Sequence, residues 1–449
     1  MNKETNNNQK QIPQGFKQTD IGLIPEDWEV CSFKGNILYE TGKRMKGGGL
    51  KIGEVMSIGG EHIDENGNLI YERMKYISRE FYQKLQQGKV KEHNVILVKD
   101  GATTGKLAFI WKLNHELAIN EHAFILRSLN EKRLINQFIY YGLLSELGQL
   151  QIKKHYHGLI GGINRGDLDK FKIPLPPLPE QKKIAYVLSK IQQAIEIQEK
   201  IIKTTQELKK ALMQKLFTEG LNGEPQKQTE IGLIPQSWDV IELERTGDVV
   251  YGIQAAVAHL KKPIGLPILT NKNITLDGEI DLSELNYFEL KTKRHFATIL
   301  KKGDILFNWR SGSKEHVGKT AYFNLDGDYV HSSFILRIRP KSDVNNKYLF
   351  YYLSYLRLSE YFIKLHSYSI NAKFNKSSVN RLPTAIPSID IQEKVAFYLT
   401  NIDMKIKLEQ SKLSCFKNLF NTSLNNLMTG QIRVKDIEFE FEETAEAVD

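Results

Sequence analysis

Cysteine is nearly absent from this chain. Its 449 residues include two, Cys31 and Cys415, which excludes a disulfide framework or a cysteine metal site and fits the reduced thiols of a cytoplasmic protein. Long apolar runs are missing too: Val95–Val98 is among the longest, far short of the roughly 20 residues of a membrane span. The opening MNKETNNNQKQ has no apolar stretch of a signal peptide and reads as a polar tail. Nucleotide loops also fail. Gly101-Ala-Thr-Thr-Gly105-Lys106 is one residue too short for a P-loop, and the loop from Gly312 to Lys319-Thr320 is one too long; the phosphate cradle depends on that spacing. Pro176-Pro177 lacks the flanking residues of an amino-methyltransferase motif, and no nuclease carboxylate cluster is evident. His155-Tyr156-His157 has no third metal ligand nearby. These absences point to a chain without catalytic residues, metal or bound cofactor.

What is present is a duplication. Gln18–Val30 (QTDIGLIPEDWEV) recurs as Gln228–Val240 (QTEIGLIPQSWDV), with nine of thirteen positions identical at an offset of 210. Phe124–Arg127 (FILR) recurs as Phe334–Arg337, Gly105-Lys106 as Gly318-Lys319, and Tyr140-Tyr141 as Tyr351-Tyr352. A period this long is a duplicated domain; solenoid repeats run about 20–50 residues. Each copy opens on a Gly/Pro turn and a tryptophan, Trp28 or Trp238, expected in the core. Short alternating runs predict strands over 94–98, 107–111 and 123–126, answered by 304–307, 320–323 and 334–338. Helical stretches follow at 134–147 and 347–363, then polar loops and a proline-marked exit.

Each copy ends in a long amphipathic pattern. Ile184, Leu188, Ile191, Ile195, Ile202, Leu208, Leu212 and Leu216 form one apolar seam. Val395, Leu399, Ile402, Ile406, Leu413, Phe416, Phe420, Leu424 and Leu427 form the other. Spacings alternate between four and three with a stutter near Leu208 and Phe416, a coiled-coil signature. Each helix would reach about 57 Å at 1.5 Å per residue, and the matching helix of the other copy is its natural partner. The expected organisation is an N-terminal tail (1–17), a first domain (18–178), a helix (179–217), a linker (218–227), a second domain (228–388), a second helix (389–428) and an acidic tail (429–449). The fold class is α+β: two related β-rich domains separated by a pair of long antiparallel coiled-coil helices, with pseudo-two-fold symmetry.

Charge and loop composition point to nucleic acid. The net charge is +9, yet residues 436–449 hold seven acids and no base; without them 62 Lys+Arg face 46 acids, a balance of +16. Such a body attracts polyanions. In the first copy the candidate DNA-binding residues are Lys43, Arg44, His62, Lys99, Thr103, Thr104, Lys106, Lys153, Lys154, His155, Tyr156, His157, Asn164 and Arg165. In the second they are Lys272, Asn273, Asn308, Trp309, Arg310, Ser311, Ser313, Lys314, His316, Lys319, His366, Tyr368, Ser369, Asn371, Lys373, Asn375 and Lys376. Lysine and arginine hold phosphates or guanine edges, Asn pairs with adenine, and Ser or Thr with either. The loops differ between copies while their frame repeats, as two readers of different sequences would.

The repeated Ile-Gly-x-Ile-Pro-x-x-Trp openings, the Gly303–Phe307 strand with its Gly-Lys loop, and the Pro174–Gln181 exit into a long helix resemble the specificity subunits of type I restriction–modification systems. The likeness spans about residues 14–434; the second exit departs from it, with Ser388-Ile-Asp-Ile-Gln-Glu393 replacing Pro-Leu-Pro-Glu-Gln. The resemblance implies two target-recognition domains, each reading half of an asymmetric split site in double-stranded DNA. It also implies recruitment of two modification subunits that use S-adenosylmethionine, and of restriction subunits that use ATP. Two other readings remain open at this point: the recognition subunit of a related system with fused nuclease–methylase partners, and a coiled-coil scaffold that binds no DNA.

Overall fold

The computed structural model describes residues 12–156, 161–257, 260–310, 316–366 and 375–438. The chain divides into two compact units, residues 1–197 with 413–449, and residues 198–412. Both boundaries fall inside the two long helices, α1 (Leu178–Glu219) and α2 (Ile389–Met428). Each unit therefore combines one β-rich domain with segments of both helices.

In the first unit an antiparallel sheet has the strand order Ile37–Thr41, Ala123–Ser128, Val95–Val98, Leu107–Phe109. A smaller sheet pairs Val55–Ile58 with Lys75–Ile77 antiparallel and with Leu117–Ile119 parallel. Val95–Val98 is apolar throughout because it is covered on both faces: Val95 and Leu97 join one core cluster, Ile96 and Val98 another. The exit segment is a strand, Lys172–Leu175, paired with Glu29–Ser32 just after Trp28, so the domain's two ends meet. The expected 134–147 helix is two helices, Asn136–Leu144 and Glu146–Lys154. Ser145 ends the first and caps the second by accepting from the Gly148 amide.

The second unit repeats this plan. Its sheet runs Gly247–Tyr251, Ile335–Pro340, Ile305–Asn308, Thr320–Tyr322, its smaller sheet Asn286–Phe288, Leu266–Leu269, Val330–His331, and Asp239–Glu242 pairs with Pro383–Ile386. Trp28 and Trp238 are both fully buried, and Tyr140, Tyr141, Tyr351 and Tyr352 are buried too. The expected match of Phe124–Arg127 with Phe334–Arg337 fails. Phe124 lies opposite Thr41 and Leu97, whereas Leu336 lies opposite Tyr251 and Phe307. The strands thus match at an offset of 212, and the FILR identity at 210 is accidental. Side chains in a strand alternate between faces, so hydrogen-bond register decides equivalence; Phe124 is buried while Phe334 is 41% exposed.

Several of the expected seam residues are buried, and a polar pair lies between them. In the first unit Ile184, Leu188, Leu424 and Leu427 share a core with the domain, and Phe420 packs against it. In the second, Leu216, Val395 and Leu399 are in its core, with Leu212 alongside. Gln198 and Glu409 fill the seam steps between Ile195 and Ile202 and between Ile406 and Leu413. Both are buried, and Gln198 Nε2 donates to Glu409 Oε2 at 2.7 Å. Lys209, farther along α1, pairs with the earlier Asp403 of α2, so the segments run antiparallel within this unit. Leu208 departs from expectation: it is 58% exposed, and the stripe continues instead through Met213, Leu216 and Phe217. Beyond the stutter the apolar face has rotated onto the domain, where Phe217 lies among Trp238, Tyr348, Tyr352 and Tyr355. Phe416 is half-buried.

The start of the expected acidic tail is seated rather than solvated. Val434 is buried in the first unit's core, and Lys183 Nζ donates to the carbonyls of Lys435 and Ile437. Arg433 bonds Asp27 and Glu180 and stands over Trp28, whose indole N–H also donates to Glu180. The expected N-terminal tail likewise ends early, in the strand Phe16–Thr19.

Candidate nucleic-acid interface

Several candidate residues belong to the frame rather than to a reading surface. His62 and Asn273 occupy the same place in the two copies and do the same work. His62 Nδ1 accepts from the Gly59 amide and Asn273 Oδ1 from the Thr270 amide, each at 2.8 Å, closing a short 3-10 turn. Both are buried. Lys106 Nζ donates to the Ile63 carbonyl at 3.0 Å, and Lys319 Nζ to the carbonyls of Asn271 and Ile274, tying the Gly-Lys loop to that turn. Lys319 is 5% exposed, and burial, with Arg357 nearby, lowers its pKa. It is therefore not placed for phosphate contact. Asn308 is fully buried and donates to the His316 carbonyl at 2.8 Å. Asn164 and Asn375 cap the helices Arg165–Leu168 and Lys376–Asn380. His155 caps the end of Glu146–Lys154, and Thr104 Oγ1 closes its own turn onto the Gly101 carbonyl. Asn, Asp, Ser and Thr side chains commonly bond nearby backbone in turns and caps.

The remaining described candidates lie wholly or partly at the surface, several of them just after the strand Val95–Val98 or its equivalent Ile305–Asn308. In the first unit Lys99 follows Val95–Val98; its amide donates to the His122 carbonyl at 2.9 Å, and its ammonium stands 5.3 Å from the Phe124 ring centroid. Asp100 pairs with His122, whose far nitrogen lies 3.4 Å from Glu121. Arg44 reaches Glu121 at 3.5 Å. Arg165 is exposed and bonds Gln87. Lys43, Lys153, Lys154 and Tyr156 are exposed, and Thr103 is half-buried.

In the second unit Trp309 follows Ile305–Asn308. Its amide donates to the Phe334 carbonyl at 3.3 Å and its indole N–H to the Ser333 carbonyl at 2.8 Å. Tyr251 packs edge-on against Trp309 at 5.6 Å, and its hydroxyl accepts from the Lys376 amide. Arg310 stands 5.6 Å from the Phe334 ring centroid. Beside Phe334 opens a cleft of ≈ 710 Å³ lined by Lys272, Asn271, Ser332 and Ser333 among others. The Ser332 hydroxyl is buried without a hydrogen-bond partner among the described residues, as is Nε2 of neighbouring His331. Burial pushes the His331 pKa down to about 4.

The backbone contacts make Lys99 equivalent to Trp309, Asp100 to Arg310, and His122 to Phe334. One position thus carries an acid–imidazole pair in one copy and a guanidinium–aromatic pair in the other. Trp309 and Arg310 are among the expected candidates, whereas Asp100, His122, Tyr251 and Phe334 are not; the FILR match hid Phe334 by assigning it to the strand. His157, Ser311, Ser313, Lys314, Tyr368, Ser369, Asn371 and Lys373 lie outside the described residues, as does the side chain of His366. Among the described residues no group of three His, Cys, Asp or Glu has metal-ligand geometry, and no helix is long and apolar enough to cross a membrane.

Residues 25–207 and 238–415 match the family described as type I restriction modification DNA specificity domain. The chain is 27% identical to a putative type I restriction enzyme MjaX specificity subunit of Methanocaldococcus jannaschii, across 94% of this chain and 97% of that one. It is 26% identical to the MjaVIII specificity subunit of the same organism, over 95% and 98%. With the EcoKI specificity subunit of Escherichia coli it shares 23% identity over 76% and 77%. Among solved structures, the S subunit of a type I restriction–modification system from M. genitalium superposes with a TM-score of 0.55 at 16% identity, covering 89% of this chain and 96% of that one. A chain from work on complex assembly and conformational transition of the type I R-M system gives 0.58 at 17%, covering 91% and 99%.

Proposed function

The chain belongs to the type I restriction–modification DNA specificity family, and from that premise we propose that its two units read the two halves of one asymmetric, split DNA site. The observation that carries this reading is the exchange at equivalent positions: Asp100 with His122 in one unit, Arg310 with Phe334 in the other, on the same strand frame. A frame that repeats while its exposed side chains change suits two different base sequences. Exposed Lys43, Arg44, Arg165 and Lys272, with half-buried Lys99, supply phosphate contacts that fix position without specifying sequence.

The chain itself carries no chemistry in this reading. It recruits two modification subunits, which use S-adenosylmethionine to methylate adenine N6 in each half-site. The target base is flipped into the partner's pocket, not into this chain. Restriction subunits with ATP-driven translocation join the same complex. The helices serve assembly, and the chain works in the cytoplasm.

Equilibrium binding of the purified chain to a random duplex tests the first step. Affinity should fall steeply as salt rises, because each neutralised phosphate releases counterions. A scaffold would show no binding at low salt. Turnover of ATP, or cutting of DNA, by a homogeneous preparation would refute the non-catalytic assignment.

A further inference from the structure

Among the described exposed cations of its unit, Arg310 is set apart by standing over an aromatic ring, that of Phe334. Trp309 is clamped by its indole bond to the Ser333 carbonyl and by the edge of Tyr251, and its amide holds the Phe334 carbonyl. That backbone fixes the Phe334 ring, over which the Arg310 guanidinium stands at 5.6 Å. Among the described residues no carboxylate pairs with Arg310. Its equivalent in the first unit is an acid, Asp100, and Phe334 is answered by His122. An arginine on an aromatic face keeps its donor fork free and its plane restricted, so less rotamer entropy is lost when the fork engages a ligand. In the major groove the edge that accepts two parallel N–H donors from arginine is guanine, through O6 and N7.

Resting on the half-site reading above, we propose that Arg310, oriented by Phe334, specifies one guanine in the half-site read by the second unit. The first unit has an acid in the same place and does not read guanine there. Arg310 is the base-reading residue, and Phe334 is a positioning residue that acts through it.

The test is selection of bound duplexes from a randomised library by the full chain assembled with its modification subunits. Wild type should yield a motif with an invariant guanine in one half. Arg310→Ala should lower affinity for that motif roughly 5- to 150-fold, the range of one bidentate base contact. It should relax that single position and leave the other half unchanged. Arg310→Lys should keep the salt dependence and weaken the guanine preference without abolishing it, because an ammonium still donates to a guanine edge but lacks the planar fork and its stacking on Phe334. Phe334→Leu should weaken the preference by about 2- to 5-fold, the value of an exposed cation–π contact, at unchanged salt dependence. The proposal is overturned if Arg310→Ala weakens all sequences equally with a shallower salt slope, relaxes a base other than guanine, or leaves the motif intact. A wild-type assembly that binds DNA but selects no motif would instead refute half-site reading, and the proposal with it.

Discussion

Replacing Met213 and Leu208 by alanine, one at a time, tests where the long helix turns its apolar face. A uniform seam places Leu208 inside and predicts a substantial loss on truncation. The structure reverses this: Leu208 is 58% exposed, whereas Met213 is 1% exposed and shares a core with Leu216, Phe217 and Trp238. Truncating a buried methionine removes transfer energy and leaves a cavity, together about 2–5 kcal/mol. Truncating an exposed leucine on a helix changes stability by less than about 0.5 kcal/mol, and the better helix propensity of alanine offsets part of that. Two compact units need not unfold as one, so a single melting temperature is a poor reporter. Hydrogen exchange read by peptide mass spectrometry resolves residues 198–412 separately. Met213→Ala should lower protection across that unit, and Leu208→Ala should leave it within error. Equal losses for the two variants would refute the rotated face.

Three further outcomes follow from the same contacts. Lys405 and Gln198 hold the Glu409 carboxyl down to about 2, below its ordinary 4.5. Its ionised form therefore stabilises the fold above about pH 4.5, and that contribution is lost as pH falls towards 2; in acid titrations followed by circular dichroism, Glu409→Gln should show a smaller loss in this window. His331 stays neutral when folded and charges near 6.5 when unfolded, so the second unit should lose stability as pH drops from about 6.5 to 4. His331→Gln should flatten that slope in urea titrations, and an unchanged slope would count against it. Ile195→Asp with Ile406→Asp puts charge at two nearly buried seam positions; both heat stability and co-purification of modification subunits should fall, and retention of both would remove the helices from assembly.

Much of this architecture is legible in the sequence because it is built from repeated spacing. The Ile-Gly-x-Ile-Pro-x-x-Trp openings mark both domains, and both tryptophans are buried. The polar layer is unexpected: Gln198 and Glu409, at steps where the apolar pattern skips, bond each other. The functional surface is less legible, since side-chain chemistry does not state direction. Asn164, Asn273, Asn308 and Lys319 have the composition of base or phosphate contacts, yet each bonds its own backbone neighbourhood. Phe334 fails for the opposite reason: an apolar residue next to a strand reads as core until hydrogen-bond register places it outside. Hydrogen-bond register aligns His122 with Phe334 and brings the exchanged side chains into view.

In the proposed function this chain directs modification to one split DNA sequence. Genome-wide mapping of methylated adenines, in cells with and without the chain, tests it most directly. The account predicts a single asymmetric motif, two short specified halves around an unspecified spacer, methylated only when the chain is present. A methylation pattern unchanged by its removal would contradict the account.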